Sequence, residues 1–187
     1  MIAMVAAMWL MGHRLEAQPA AYHKFVVYAG AGPGYFFNNL VVARDQVRPW
    51  QYAFAARVMW EPEHSDLSLG IQTGYYRLYG VKVTQPVDAH ITNSSVPILF
   101  VIAMRFPKGF YGQWAMGQSI TFNHVDAQGV EGNHDAKTWS LADFEATLGY
   151  RILAKSRISY AVELKGFYST AYDNKTLALL FVVGYRL

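Results

Sequence analysis

Two segments of this chain place acids and bases on every second residue. In DFEATLGYRI, the set Asp143, Glu145, Thr147, Gly149, Arg151 interleaves with Phe144, Ala146, Leu148, Tyr150, Ile152. Further on, Glu163 and Lys165 share parity with Arg157 and Ser159, opposite to Ile158, Tyr160, Val162 and Leu164. Arg57, Arg105 and Arg186 stand in the same way among apolar neighbours. Charges of both signs on one face can do two things. They can satisfy one another as buried, hydrogen-bonded ion pairs, or they can hold an anion or the charged group of a partner. The first is the expected use.

Three other places hold residue types that could do chemistry. YAGAGPGYFF contains Gly30, Gly32 and Gly34. A phosphate-binding glycine loop needs a helix N-terminus directly after it, and none is readable here. Glycine within a strand marks a bulge, a bend or close packing instead. FNHVDAQGVEGNHDAK brings His124, Asp126, Glu131, His134 and Asp135 into one stretch. Imidazole and carboxylate are ligands for zinc or calcium, but this spacing fits no standard motif, and the stretch reads as a solvated polar loop. GFYSTAYDN offers Ser169 as a nucleophile. A serine needs a base to take its proton, and no histidine stands beside it. With no cysteine in the chain, disulfides and thiolate metal sites are excluded. No metal and no cofactor is expected.

The elements that position these residues follow from composition and periodicity. The chain has 187 residues, which suits one domain. Charged residues make up 16%, against roughly 25% in soluble domains, and aromatics another 16%. The net charge is +3, but the basic residues are scattered, so nucleic acid is not an expected partner. The opening MIAMVAAMWLMG is too short to span a membrane as a helix. It reads as a signal-peptide-like segment over residues 1–21, with a single barrel domain over 22–187.

Period two runs through most of the chain and predicts eight strands: Lys24–Phe37, Trp50–Trp60, Leu67–Tyr79, Ser95–Phe106, Phe110–Phe122, Thr138–Ile152, Arg157–Ser169 and Thr176–Leu187. Several exceed the usual strand of about 5–6 residues, and a tilted membrane strand needs about 9–11. Each has one bulky apolar face and one small face with an occasional charge. Tyr52, Phe54, Ala56, Val58 and Trp60 oppose Gln51, Ala53, Ala55, Arg57 and Met59. The connections alternate between long (Asn38–Pro49, Gly80–Ser94, Asn123–Lys137, Thr170–Lys175) and short (EPEHSD, PKG, AKS). Long loops on one side and tight turns on the other are the layout of bacterial outer-membrane barrels.

Alternation alone leaves two orientations. In a soluble barrel carrying an apolar ligand, the bulky face lines the cavity. In a membrane barrel it meets lipid. Ala53, Ala55, Gly70, Gly74, Ala103, Ala115, Gly117, Ala161 and Gly184 make a poor solvent coat but suit a tight eight-stranded bore. Trp60, Phe106, Tyr150 and Tyr185 lie near strand ends, as an aromatic girdle does. The membrane orientation is therefore expected. It turns Arg57, Arg105, Glu145, Arg151, Glu163, Lys165 and Arg186 into the bore. The four arginines are expected to cluster at the periplasmic mouth, balanced in part by Glu145 and Glu163. Loop residues such as Trp50, Tyr79 and His90 would form the outer working surface.

SSVPILFVIAMRFPKGFYGQWAMG, DFEATLGYRI and the closing KTLALLFVVGYRL resemble the strand motifs of the small outer-membrane β-barrel (porin-like) family common in Bacteroidetes. The resemblance covers roughly residues 25–187 and implies a fold and an outer-membrane location, not an activity. The chain ends on Leu187, where such proteins usually end on Phe or Trp. Outer-membrane lipid A deacylases carry a lipid-facing His-x-Ser-Asn triad segment late in the chain. In GFYSTAYDN, Ser169 would match the serine, while Phe167 replaces the histidine and Thr170 the asparagine.

The expectation is an all-β, single eight-stranded antiparallel up-and-down transmembrane barrel with a side-chain-filled lumen. It would be non-enzymatic, surrounded by outer-membrane lipid, and structural, adhesive or partner-binding through its loops. The alternatives are a lipid-modifying enzyme and a soluble barrel.

Overall fold

The computed structural model describes residues 24–37, 46–83, 89–127, 134–153 and 157–187. Ten strands are present among them: β1 Lys24–Phe37, β2 Val47–Arg48, β3 Trp50–Glu61, β4 Leu67–Val83, β5 Ala89–Arg105, β6 Phe110–Ala127, β7 His134–Trp139, β8 Asp143–Leu153, β9 Ile158–Ser169 and β10 Asn174–Arg186. Eight of them close a ring in the order β1, β3, β4, β5, β6, β8, β9, β10, every pair antiparallel. β10 returns to β1, with Tyr185 opposite Val27 and the Leu187 amide donating to the Phe25 carbonyl at 2.9 Å. A closed ring leaves no sheet edge within the barrel wall. No helix among the described residues is long and apolar enough to cross a membrane, so any crossing is made by strands.

The period-two pattern explains the wall. Bulky residues point out: Phe100 is 48% exposed, Phe144 41% and Phe181 57%. Their neighbours point in, and Ala53, Leu99, Ala115 and Leu180 are buried. This settles the orientation left open by alternation. A soluble carrier would bury these phenylalanines, and here Phe54, Phe100, Phe110, Phe144 and Phe181 face outward from β3, β5, β6, β8 and β10.

Small residues let the strands approach. A Cβ added at Gly32 would collide with the Leu179 carbonyl across the β1–β10 seam, and one at Gly117 with the Ile98 carbonyl of β5. Gly30 and Gly32 of YAGAGPGYFF thus serve close packing within a strand. At the turn end, Pro107–Gly109 is a single 3-10 turn with Lys108 at φ 63 and Gly109 at φ 87, the left-handed geometry of a tight reversal.

Three strand boundaries differ from expectation, each for a physical reason. β4 and β5 run on to Val83 and from Ala89, and β6 to Ala127, through stretches read as loop. These extensions set only single apolar residues such as Val81, Ile91 and Val125 among Lys82, His90, Thr92, Asn93, Asn123 and Asp126, a weaker contrast than the wall's. The expected strand Thr138–Ile152 is two strands. β7 pairs the outer part of β6 and β8 the inner part, parting at Ser140. There the Ser140 hydroxyl accepts from the Ser119 amide at 2.7 Å. The two-residue β2 caps the extension of β4. The expected segment 1–21 lies outside the described residues.

Candidate functional site: the plugged bore

Charge placed on the small face of each strand must be satisfied inside the barrel, because the other face has no polar partners to offer. The register carries this out through contacts that span the bore. Arg57 on β3 reaches Glu163 on β9 with both guanidinium nitrogens, Nη1 at 3.0 Å from Oε2. This two-pronged geometry is the strong form of an arginine–carboxylate pair. Tyr111 on β6 donates to Glu163 at 2.5 Å, and the Arg57 guanidinium lies 4.5 Å from the centre of the Tyr28 ring. Lys165, also on β9, lies 3.4 Å from Glu163 and donates to Glu145 of β8 at 2.6 Å, to Gln72 of β4 at 3.1 Å and to Thr147 at 3.2 Å. Glu145 further accepts from Tyr76 at 2.6 Å and from Gln72 at 2.8 and 2.9 Å. Arg57, Glu145, Glu163 and Lys165 are all buried, two cations against two anions.

A second pair closes the bore nearer the turn end. Arg151 on β8 meets Glu61 on β3, diametrically across the ring, at 3.1 Å. Tyr28 joins them, donating to Glu61 at 2.5 Å and accepting from Arg151. Above the first cluster, Tyr76 and Phe167 stack face to face with centroids 4.7 Å apart and planes 7° from parallel. They stand on β4 and β9, opposite strands, so the stack crosses the bore. Between the two charge clusters lies a cavity of only about 10 Å³, bordered by Arg57, Glu61 and Arg151 among others. That is room for about one water molecule. Below it the mouth widens to an open pocket of about 300 Å³ lined by Glu63, Asp66, Arg105, Tyr111 and Arg151.

The charged residues thus fall into separate places. Arg57, Glu145, Glu163 and Lys165 form one array, and Arg151 pairs with Glu61. Arg105 sits at the mouth with its guanidinium on the carbonyls of Pro62, at 3.0 Å, and Ser65. Arg186 is half-buried and joins none of these contacts. Arg57, Arg105 and Arg151 nonetheless border one small cavity near the turn end, which Arg186 does not line. Their like charges stay apart because Arg57 and Arg151 each take their own carboxylate, Glu163 and Glu61. Tyr28, Glu61, Gln72, Tyr76 and Tyr111 were not singled out as members. Parity was the available signal for four of them, since each shares its strand's small face. Glu61 read as part of a turn.

Near the loop end the inward face mixes apolar residues such as Phe36, Leu78 and Val81 with polar ones, of which Asp143 is the charged member among the described residues. Ser95, Thr121, Asp143, Asn174 and Thr176 are all buried there. Ser169 is fully buried on that inner face, its hydroxyl accepting from the Ala171 amide at 3.3 Å. It faces the bore and not lipid, so the geometry of a lipid-facing triad is absent. Of the proposed metal-ligand stretch, Glu131 lies outside the described residues. The backbone register sets Asp126 opposite His90 and Asp135 opposite His124. Among the described residues, no group of three or more His, Cys, Asp or Glu is arranged to hold a metal. Trp50 is exposed, as is His90, and Tyr79 is half-buried against Phe36.

No protein family and no curated protein matches this chain. Solved structures do. Ail, the attachment invasion locus protein of Yersinia pestis, solved in complex with the heparin analogue sucrose octasulfate, matches with a TM-score of 0.56 at 12% identity, over 88% of this chain and 99% of Ail. Neisserial surface protein A matches with a TM-score of 0.51 at 12% identity, over 87% of this chain and 97% of the other. At this identity the likeness shows the fold alone. This chain shares the closed eight-stranded barrel of small outer-membrane proteins.

Proposed function

We propose that this protein is a non-enzymatic barrel of the bacterial outer membrane, whose bore is a structural plug and whose working surface is the loop end. The observation that carries the reading is the charge-balanced array across the bore. It joins residues of β3, β4, β6, β8 and β9, and the cavity beside it holds about one water. Such an interior braces the wall and offers no conduit for solutes. Function then falls to the loop end, where β4, β5, β6 and β7 rise beyond the ring and Trp50, Trp139, Leu141 and Tyr172 are exposed. Exposed aromatic and aliphatic residues at the loop end suit adhesion or binding of an extracellular partner. The strand motifs noted above favour the porin-like barrels of Bacteroidetes type as its family. The capture of Ail with a heparin analogue makes a sulfated polysaccharide the first ligand to try.

The test is binding by whole cells displaying the barrel, with immobilised heparin and cultured epithelial cells as targets. A variant with residues 84–88 and 128–133 replaced by Gly-Ser segments is expected to keep heat-modifiable gel migration, the sign of a closed barrel, and to lose binding. Equal binding by both proteins contradicts the loop assignment.

A further inference from the structure

Among the described residues of the eight ring strands and β7, three cations break the rule that charge turns inward. Arg77 on β4, Lys137 on β7 and Lys175 on β10 have the parity of the apolar face. Arg77 shares it with Ile71 and Tyr75, Lys137 pairs with Phe122, and Lys175 pairs with Tyr168 and with Phe37. Each cation stands over an aromatic ring of the same outer face: Arg77 at 5.7 Å from the centre of Tyr52, Lys137 at 5.5 Å from Phe122 and Lys175 at 5.8 Å from Tyr168. All three lie toward the loop end: Arg77 is ten residues above Leu67 on β4, Lys175 eleven above Arg186 on β10, and Lys137 stands opposite Phe122, twelve above Phe110 on β6. At about 3.3 Å per residue and a tilt near 40°, that is about 25–30 Å, the height of the apolar band of a membrane barrel. The cations therefore stand at its outer border, where hydrocarbon gives way to headgroups.

We infer that Arg77, Lys137 and Lys175 hold the phosphate groups of outer-leaflet lipid against the barrel wall. The inference rests on the outer-membrane reading given above. Three observations favour lipid over a docked protein. The cations are spread around the ring, on β4, beside β6 and on β10, so no single partner on one side covers them, whereas lipid surrounds the wall. Each is braced by a ring that is itself a lipid-contacting residue, leaving the ammonium or guanidinium at headgroup height. The turn end carries cations too, but among the described residues Lys108 and Arg157 stand in turns and Lys24 is engaged by Glu63 at 3.2 Å, so no cation there lies on the outer face of a strand.

The competing partners at the loop end are weak. Lys175 lies 3.3 Å from Asp173, but both side chains are about half exposed, and such pairs contribute little. Arg77 donates through Nη2 to Thr92 at 3.4 Å, while its Nε is buried without an acceptor among the described residues. A phosphate has several strong acceptor oxygens, and the aromatic face supports the cation from the other side.

The test uses the full chain reconstituted in phosphatidylcholine vesicles doped with diphosphoryl lipid A or with dephosphorylated lipid A. Lipid retained after purification is counted by mass spectrometry. The wild type is expected to prefer the phosphorylated form, and Arg77→Gln, Lys137→Gln and Lys175→Gln each to weaken that preference about fivefold. Lys108→Gln at the turn end is expected to leave it unchanged. Equal retention of both lipids, or an unchanged preference in the triple variant, overturns the inference while leaving the barrel intact. Failure of the wild type to insert, read by heat-modifiable migration, overturns the membrane reading and the inference with it.

Discussion

Glu163→Ala is expected to lower the stability of the folded barrel by about 3–5 kcal/mol, read as a lower urea midpoint for unfolding from lipid vesicles. The carboxylate holds both guanidinium nitrogens of Arg57 and the hydroxyl of Tyr111, with Lys165 at 3.4 Å. Arg57 is 4% exposed and Lys165 fully buried, so neither cation can turn to water when Glu163 is lost. The cost is that of a stranded charge, not of the pair. Hence Arg57→Met with Glu163→Leu is expected to recover most of the loss, since Lys165 keeps Glu145, Gln72 and Thr147. If Glu163→Ala costs under about 1 kcal/mol, water reaches the array freely and the bore is not a plug.

Phe181→Arg is expected to cost about 2–4 kcal/mol in the same unfolding experiment. Phe181 lies mid-strand on β10, 57% exposed, and stacks on Tyr160 with centroids 6.1 Å apart. Its loss of ring contact is small. The cost comes from setting a guanidinium in hydrocarbon, far from either border. Trp139→Arg supplies the contrast, because Trp139 is equally exposed but stands at the loop end of β7, beside Lys137. There the cost is expected to fall to about 0–1 kcal/mol. Equal costs at the two positions would mean that the wall meets a uniform solvent.

The wall was legible in the sequence because two faces with different surroundings leave a two-residue rhythm. Phe144 and Glu145 are neighbours in the chain and occupy opposite environments, and nothing but a strand between lipid and bore accounts for both. The contacts across the bore were less legible. Periodicity gives the face of Arg151 but not the stagger between strands, and the stagger brings Glu61 across from β3. Gln72 and Tyr76 were passed over for the same reason. Each is an inward residue whose partner, Glu145, is three strands away around the ring. The raised ends of β4, β5 and β6 were illegible for a different reason. There the inner face keeps Val81 and Asn93 buried, but polar residues such as Asn93 and Ser94 take inward places, so the contrast in side-chain type that marks the wall fades.

The outward turn of the bulky residues and the inward turn of the charged ones is most directly tested on β8. The chain has no cysteine, so single cysteines can be placed from residue 144 to residue 152 and labelled with a nitroxide in lipid vesicles. Collision with oxygen, which dissolves in hydrocarbon, is then compared with collision with a water-soluble nickel reagent. Labels replacing Phe144, Ala146, Leu148, Tyr150 and Ile152 are expected to collide strongly with oxygen, and those replacing Glu145, Thr147, Gly149 and Arg151 weakly with both. Strong oxygen collisions at Glu145 and Arg151, with Phe144 and Leu148 protected, would contradict the account.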